Sequence, residues 1–584
     1  MHHVFFGNKD FTKMKHLFLF FLMVSMIFAL VLPGFAQEPT LPAPTLVPPT
    51  LVPTEPADVV HYADYSGIAT LQNEGVLRVG ARFNMQPFSF LDTTGKLAGY
   101  EADVATAVAS ELGVLIEFVQ VTGENEIEEL LTGRVDALIG EQVHTRSSEQ
   151  IMEFSHPYYV NAQRMVVLET SSYSRFEELN GQPVSVVQGS YGEIAVQDMV
   201  ASGTGFVLRQ YFTQNDALDA LAKGEVQAMI GELDNLLRAG RQGMRLIEQP
   251  VRLDPYAIAV RRYDVNLRNA VNRSIQRLFA SGRLEEIYAR WFDTPLDFDV
   301  LIPVYESIFQ DGRGIHEFNA DIPMRERSLV EKIAAGEPLQ VAGLSLNPDA
   351  PQERLVDPFN QAIMDEMARR WGATINYLPN SARNSVEFMF GGSADLAVGV
   401  TPRWDGADRF DYSRAYAVHG DRLMVLEGSR FQRFADFRGG SYIGFWYEFP
   451  DDRARIEEIA AALRVNTSVY EFRSVDEIID QFNNRNVDGL FGDSLWLKAI
   501  ITETARSGLP WQVFEDEEYS RVPLAIALPR NDADFRSLVD WTLQDMFLDG
   551  TYQRIFRDTF GEGEPLVMLT WSGDGSWLRS KPGQ

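Results

Sequence analysis

Cysteine is absent from all 584 residues. That excludes disulfides, thiol nucleophiles, thiolate zinc sites and cysteine-held iron–sulfur clusters. It also removes the cysteine that carries the lipid of a bacterial lipoprotein. Histidine is scarce: of eight, His2, His3 and His16 precede the expected mature domains, and the others have no HExxH-like spacing, so no metal site is expected. Positive charge is in deficit, with 52 Lys and Arg against 82 Asp and Glu and a net charge of −30. Such a balance argues against a nucleic-acid partner and against docking on anionic lipid. A phosphate loop is missing too, since Gly203-Thr-Gly205 has no third glycine. No nucleophile–base constellation is visible, so no catalytic residue is assigned and no cofactor is expected.

Long apolar runs are confined to Leu17–Leu32, behind Lys9, Lys13 and Lys15 and ahead of Pro33 and Gly34-Phe35-Ala36. This is the pattern of an export signal over residues 1–36, either cleaved or kept as an anchor. The mature protein is expected outside the cytoplasm, periplasmic or at the cell surface, and not as a lipoprotein. Glu38–Asp58 holds seven prolines and no glycine. Such a stretch builds no core and favours extended geometry, so residues 37–74 are read as a stiff spacer.

What the chain has in plenty is itself. Gly282-Arg-Leu-Glu-Glu-Ile-Tyr-Ala-Arg-Trp-Phe292 returns as Gly550-Thr-Tyr-Gln-Arg-Ile-Phe-Arg-Asp-Thr-Phe560, and Arg134-Val-Asp-Ala-Leu-Ile-Gly140 as Ser393-Ala-Asp-Leu-Ala-Val-Gly399. Glu153-Phe-Ser-His-Pro-Tyr158 returns as Asp411-Tyr-Ser-Arg-Ala-Tyr416, with offsets all near 260 residues. A period of that size is a duplicated domain and not a solenoid unit.

Within each copy short β runs alternate with amphipathic helices. Val76–Gly80 reads as a strand, Tyr100–Leu112 as a helix, Leu115–Val119 as a strand and Glu126–Leu131 as a helix. Tyr256–Val260 is expected as a late strand followed by two helices ending at Trp291. Alternation of this kind predicts an α/β fold with mostly parallel sheets covered by helices. The predicted domains are 75–294 and 331–563, with a connector over 295–330 and a tail over 564–584.

Pro87-Phe-Ser-Phe, Gly99-Tyr-Glu-Ala-Asp103, Gly133-Arg-Val-Asp136, Phe154-Ser-His-Pro-Tyr-Tyr159, Val187-Gln-Gly189 and the closing Trp291-Phe292 are ordered blocks. Together they resemble the family 3 extracellular solute-binding proteins, the amino-acid receptors of ABC importers. The resemblance covers about Gly75–Phe292 and, more weakly, Glu337–Gly561. It implies two tandem type II periplasmic-binding-protein-like domains, each of two α/β lobes joined by hinge strands. Lobe one of the first copy would be 75–160 plus 256–292.

The same resemblance implies the site residues. A threonine and an arginine fork would hold a carboxylate, and an acid in lobe two would meet an ammonium. The acid falls on Glu232 in copy one and Asp493 in copy two; the threonine position holds Val143 and Thr401. The arginine register holds Ser148 and Gly406 instead, with Arg146 and Arg403 a few residues early. The ring positions of copy one hold Met85 and Gly123, while Phe88 and Trp404 are aromatics beside turns and are read as cleft-lining. The expected function is capture of a small, polar, amino-acid-like solute in interlobe clefts for an ABC permease. A ligand-sensing ectodomain for a membrane receptor, or a dehydratase-like enzyme for small carboxylic acids on the same fold, are the alternatives; the chain is expected to be a monomer.

Overall fold

The computed structural model describes residues 66–201, 205–292, 302–305, 307–309, 314–320, 327–345, 355–379, 385–406, 409–447, 449–514 and 517–561. The export signal, the spacer up to residue 65, the tail and parts of the connector lie outside them. Among the described residues no helix is long and apolar enough to cross a membrane. These residues form two compact units, one of 421–492 and 507–519 and the other of the remainder.

In the larger unit, copy one begins with a five-stranded sheet. Its order is Leu115–Gln120, Val76–Ala81, Ala137–Leu138, Ala259–Arg261 and Met152–Phe154, the first three parallel and Ala259–Arg261 antiparallel to both neighbours. Helix Tyr100–Leu112 covers this sheet with Val104, Ala105, Val108 and Leu112 buried, and Gly113 ends it in the left-handed conformation. Gly99 before it also has positive φ, and a β-carbon there would collide with the Phe88 carbonyl. Only glycine fits that approach.

A second sheet follows, in the order Val207–Tyr211, Pro183–Val187, Ala228–Glu232, Tyr159–Leu168 and Met244–Leu246. The ten-residue strand Tyr159–Leu168 pairs antiparallel with Arg252–Tyr256, from Tyr159 opposite Tyr256 to Gln163 opposite Arg252. These are the crossing strands of a hinge. The late strand expected over Tyr256–Val260 is divided: Arg252–Tyr256 belongs to the hinge and Ala259–Arg261 to the first sheet. The break falls where Ala257 N–H turns to the Gln142 carbonyl and Ile258 O accepts from Ser155 N–H.

Copy two repeats the first sheet in the same order, Ile375–Tyr377, Leu339–Ala342, Leu396–Val400, Val522–Pro529 and Phe410–Tyr412. The smaller unit repeats the second, Ser468–Phe472, Tyr442–Trp446, Gly489–Asp493, Asp421–Leu426 and Trp511–Val513. Its core holds Leu423, Val425, Phe434, Phe437, Ile443 and Phe491.

Residues 67–74 differ from the spacer expected there. They form helix Gly67–Glu74, capped by Ser66 Oγ, with Ile68 and Leu71 fully buried in the core of lobe one. Gly67 N–H donates to Asp264 Oδ2 at 2.9 Å, and the other oxygen of Asp264 caps helix Val265–Ala280. Copy two does the same: Leu329 N–H donates to Asp532 Oδ2 at 2.8 Å, and Asp532 caps helix Ala533–Leu548. One carboxylate therefore satisfies orphan donors of two helix starts in each copy.

Candidate ligand-binding site

In copy one, Arg82 directly follows the carboxyl end of strand Val76–Ala81, the side of an open parallel sheet where crevices form. Its Nε and Nη2 donate to Glu126 Oε2 and Oε1 at 2.9 and 2.6 Å, a two-point clamp. Nη1 makes no hydrogen bond among the described residues. Glycines make room for this side chain: a β-carbon at 123 would stand 3.3 Å from Nη2, and one at 140 would stand 3.6 Å from Cγ. A guanidinium thus lies over Gly123, where the resemblance implies a ring. Glu141, at φ +58°, donates its N–H to the buried Glu101 carboxylate at 2.9 Å. Burial raises the pKa of Glu101, which also accepts from Tyr158 Oη–H.

Across the hinge, Tyr191 opens helix Tyr191–Ala201 and lies within electrostatic reach of Arg82. The Arg252 guanidinium stands 5.7 Å from the Tyr191 ring centre, and its Nε donates to Asp254 Oδ1 at 2.6 Å. Gln163 Nε2 donates to the other oxygen of Asp254 at 2.7 Å. Glu232 ends strand Ala228–Glu232, is half-buried, and accepts from Asn235 Nδ2 at 2.6 Å. Tyr256, fully buried in the hinge, has its pKa raised by burial and then by the charges of Glu141 and Glu232 together. The two carboxylates, one from each lobe, therefore act on one hinge phenol.

The residues proposed from the sequence are scattered among three environments. Glu232 lies within electrostatic reach of Tyr191 and Tyr256, whereas Phe88 is 1% exposed and packs among Tyr100, Tyr159, Tyr256 and Phe292. Arg146 points at copy two, donating to Gln544 Oε1 at 2.7 Å, to the Trp541 carbonyl at 3.0 Å and to Asp545 Oδ1 at 2.6 Å. Trp404 points the opposite way, its Nε1–H donating to Gln276 Oε1 of copy one at 2.9 Å. In copy two Thr401 is half-buried after strand Leu396–Val400, while Arg403 is exposed and paired with Asp405 at 3.1 Å. Asp493 caps helix Ser494–Thr504 through Oδ1, which accepts from Leu495 and Trp496 N–H, and Oδ2 pairs with His419 Nδ1. Arg82 and His419, which pair with Glu126 and Asp493, were not singled out in the sequence. The signal for Arg82 was a long cation after a strand, opposite glycines where bulk is usual.

Next to Arg146, His144 is 1% exposed and sits between Arg414, which donates to Nδ1 at 3.0 Å, and Glu149, 2.7 Å from Nε2. An arginine donating to Nδ1 places the single proton on Nε2. Burial lowers the His144 pKa to about 4. The unfolded chain binds a proton at this residue near pH 6.5 and the folded chain does not until about pH 4. Stability from His144 is therefore complete above pH 6.5 and is lost as pH falls toward 4. Asp540, pushed up to about 6 by burial, contributes with the opposite sign, so only a comparison with a variant isolates the histidine. Urea unfolding of His144→Gln beside the wild type, from pH 7 to 4, should show the wild type losing up to about 3 kcal/mol relative to the variant. Parallel curves would mean that His144 takes up its proton over the same pH range folded and unfolded, and that burial does not hold it neutral.

A two-lobed α/β body with a crossing pair of strands and a polar cleft beside them defines a hinge-closing binding protein. Residues 77–294 and 356–562 both match the bacterial extracellular solute-binding proteins, family 3, and the chain belongs to that family. Among its relatives, the ABC transporter glutamine-binding protein of Bacillus subtilis is 24% identical over 38% of this chain and 84% of the relative. The L-arginine-binding protein of Pseudomonas aeruginosa is 26% identical over 38% of this chain and 91% of its own length. The glutamate/aspartate import solute-binding protein of Salmonella typhimurium is 22% identical over 40% and 81%. Among solved structures, an ancestral arginine-binding protein bound to arginine is 30% identical, with a TM-score of 0.32, over 38% of this chain and 99% of that one.

Proposed function

We propose that the protein captures small amino-acid-like zwitterions outside the cytoplasm and delivers them to the permease of an ABC importer without transforming them. The duplicated family match and the amino acids named for the relatives support that reading. In copy one the ligand's carboxylate meets Arg82, whose Nη1 remains for it beside the Glu126 clamp. Its ammonium meets Glu232 and Glu141, the two carboxylates that act on Tyr256. This arrangement takes the place of the arginine fork, because Arg146 is engaged with Gln544 and Asp545. In copy two, Asp493 and Thr401 are the corresponding groups.

The juxtaposition of Arg82 with Gly123 and Gly140 carries the assignment. Thermal unfolding of the full chain against a panel of amino acids tests it. A ligand at a hundred times its Kd should stabilise the copy it binds by about 2.7 kcal/mol. Arg82→Ala removes one partner of a closed-cleft charge pair, worth about 2–5 kcal/mol, so affinity for the copy-one ligand should fall well over tenfold by calorimetry. An unchanged Kd would take Arg82 out of the site, and a panel without a single hit would sink the amino-acid reading.

A further inference from the structure

Helix Val265–Ala280 is buried on its polar side as well as its apolar one: Asn266, Arg268, Asn269 and Asn272 are each less than a tenth exposed. What covers them is lobe one of copy two. Arg268 donates to Glu153 of its own copy at 3.1 Å and to Asp411 of the other at 2.6 Å. Arg536, its counterpart, pairs with Glu153 across the boundary and lies 3.6 Å from Asp411 of its own copy. Each arginine thus holds the acids of both copies.

The same exchange recurs outward from this centre. Arg262 pairs with Asp534, and its counterpart Arg530 donates to Asn266, the residue matching Asp534. Arg146 reaches Gln544, and Trp404, which stands at the matching position, reaches Gln276, which matches Gln544. In each of these three pairs, where residue i of one copy touches j of the other, the counterpart of j touches the counterpart of i. That is the rule of an isologous, two-fold interface. The 40 Å³ cavity inside it, lined by Arg268, Arg414, Arg536, Asp411 and Asp540, has room for about two or three waters and is too small for a solute.

We infer that this face is a dimer interface whose partner is a second copy of the same fold, fused here into one chain, so that the two first lobes open and unfold as one unit. A buried arginine–carboxylate cluster serves each half only while the other half is present, because separation would take one charged partner from each of Glu153, Asp411, Arg268 and Arg536. The segment Glu153–Tyr158 also runs from this interface straight into the hinge strand Tyr159–Leu168, so the hinge of copy one starts from the common base.

Hydrogen exchange of the full chain tests the inference. Arg536→Met lies in copy two, yet it should speed exchange in Val265–Ala280 and Met152–Phe154 of copy one as strongly as in Ala533–Leu548, on the order of a hundredfold. Acceleration confined to copy two would overturn it. If that variant does not accumulate in folded form, the wild type in graded denaturant gives the answer. The slowest amides of the two first lobes should merge into one opening event, and two separate openings would equally overturn the inference.

Discussion

Replacing Glu153 with alanine should lower the unfolding free energy of the first lobes by about 3–5 kcal/mol, the range found when one partner of a buried ion pair is removed. Glu153 is 1% exposed and accepts from Arg268 and Arg536, both of which are themselves buried. Arg536 would keep Asp540 at 3.2 Å, but Arg268 would be left with Asp411 as its one paired carboxylate, shared with Arg536. A guanidinium deprived of a partner in low dielectric is why the loss exceeds that of a surface pair several-fold. Urea titration of the full chain, followed by circular dichroism, measures it. A change below about 1 kcal/mol would mean that water screens the cluster, as at an exposed pair.

Phe88→Ala should be as damaging for a different reason. The ring packs 5.2 Å from that of Tyr159, 5.5 Å from Tyr256 and 5.8 Å from Phe292, centre to centre. Truncating a fully buried phenylalanine removes its transfer energy and leaves a cavity, together about 3–5 kcal/mol. The melting temperature should drop, while ligand affinity of the folded fraction stays within about threefold, since no contact to the solute is lost. The reverse pattern, unchanged melting with lost binding, would return Phe88 to the cleft wall.

Phe88 also marks where sequence reasoning ran out. The periodic elements were legible because their signals are local. Tyr100–Leu112 begins and ends at glycines as read, and the parallel order follows from strand–helix alternation. An aromatic beside Pro87 has no such local signal, and only the fold of residues 87–101 over the hinge decides that it faces inward. Arg146 failed for a related reason. Its three acceptors lie 395 to 399 residues away in the other copy, and neither repeat alone contains that partner. The clue that was present, a run of polar residues in a helix expected to pack, reads equally well as a solvated face.

The double duty of Asp264 and Asp532 bears on where this chain can be cut and rejoined. Each carboxylate ties the start of a short leading helix, Gly67–Glu74 or Leu329–Ala334, to the start of a long one near the end of the same lobe. The folded unit therefore opens at Ser66 and Ser328, ahead of the first strand. A chimera spliced at the strand would strand Ile68, Leu71 or Leu329 on the wrong side of the joint and leave an aspartate with half its donors. Grafting either receptor onto another scaffold should carry the leading helix with it.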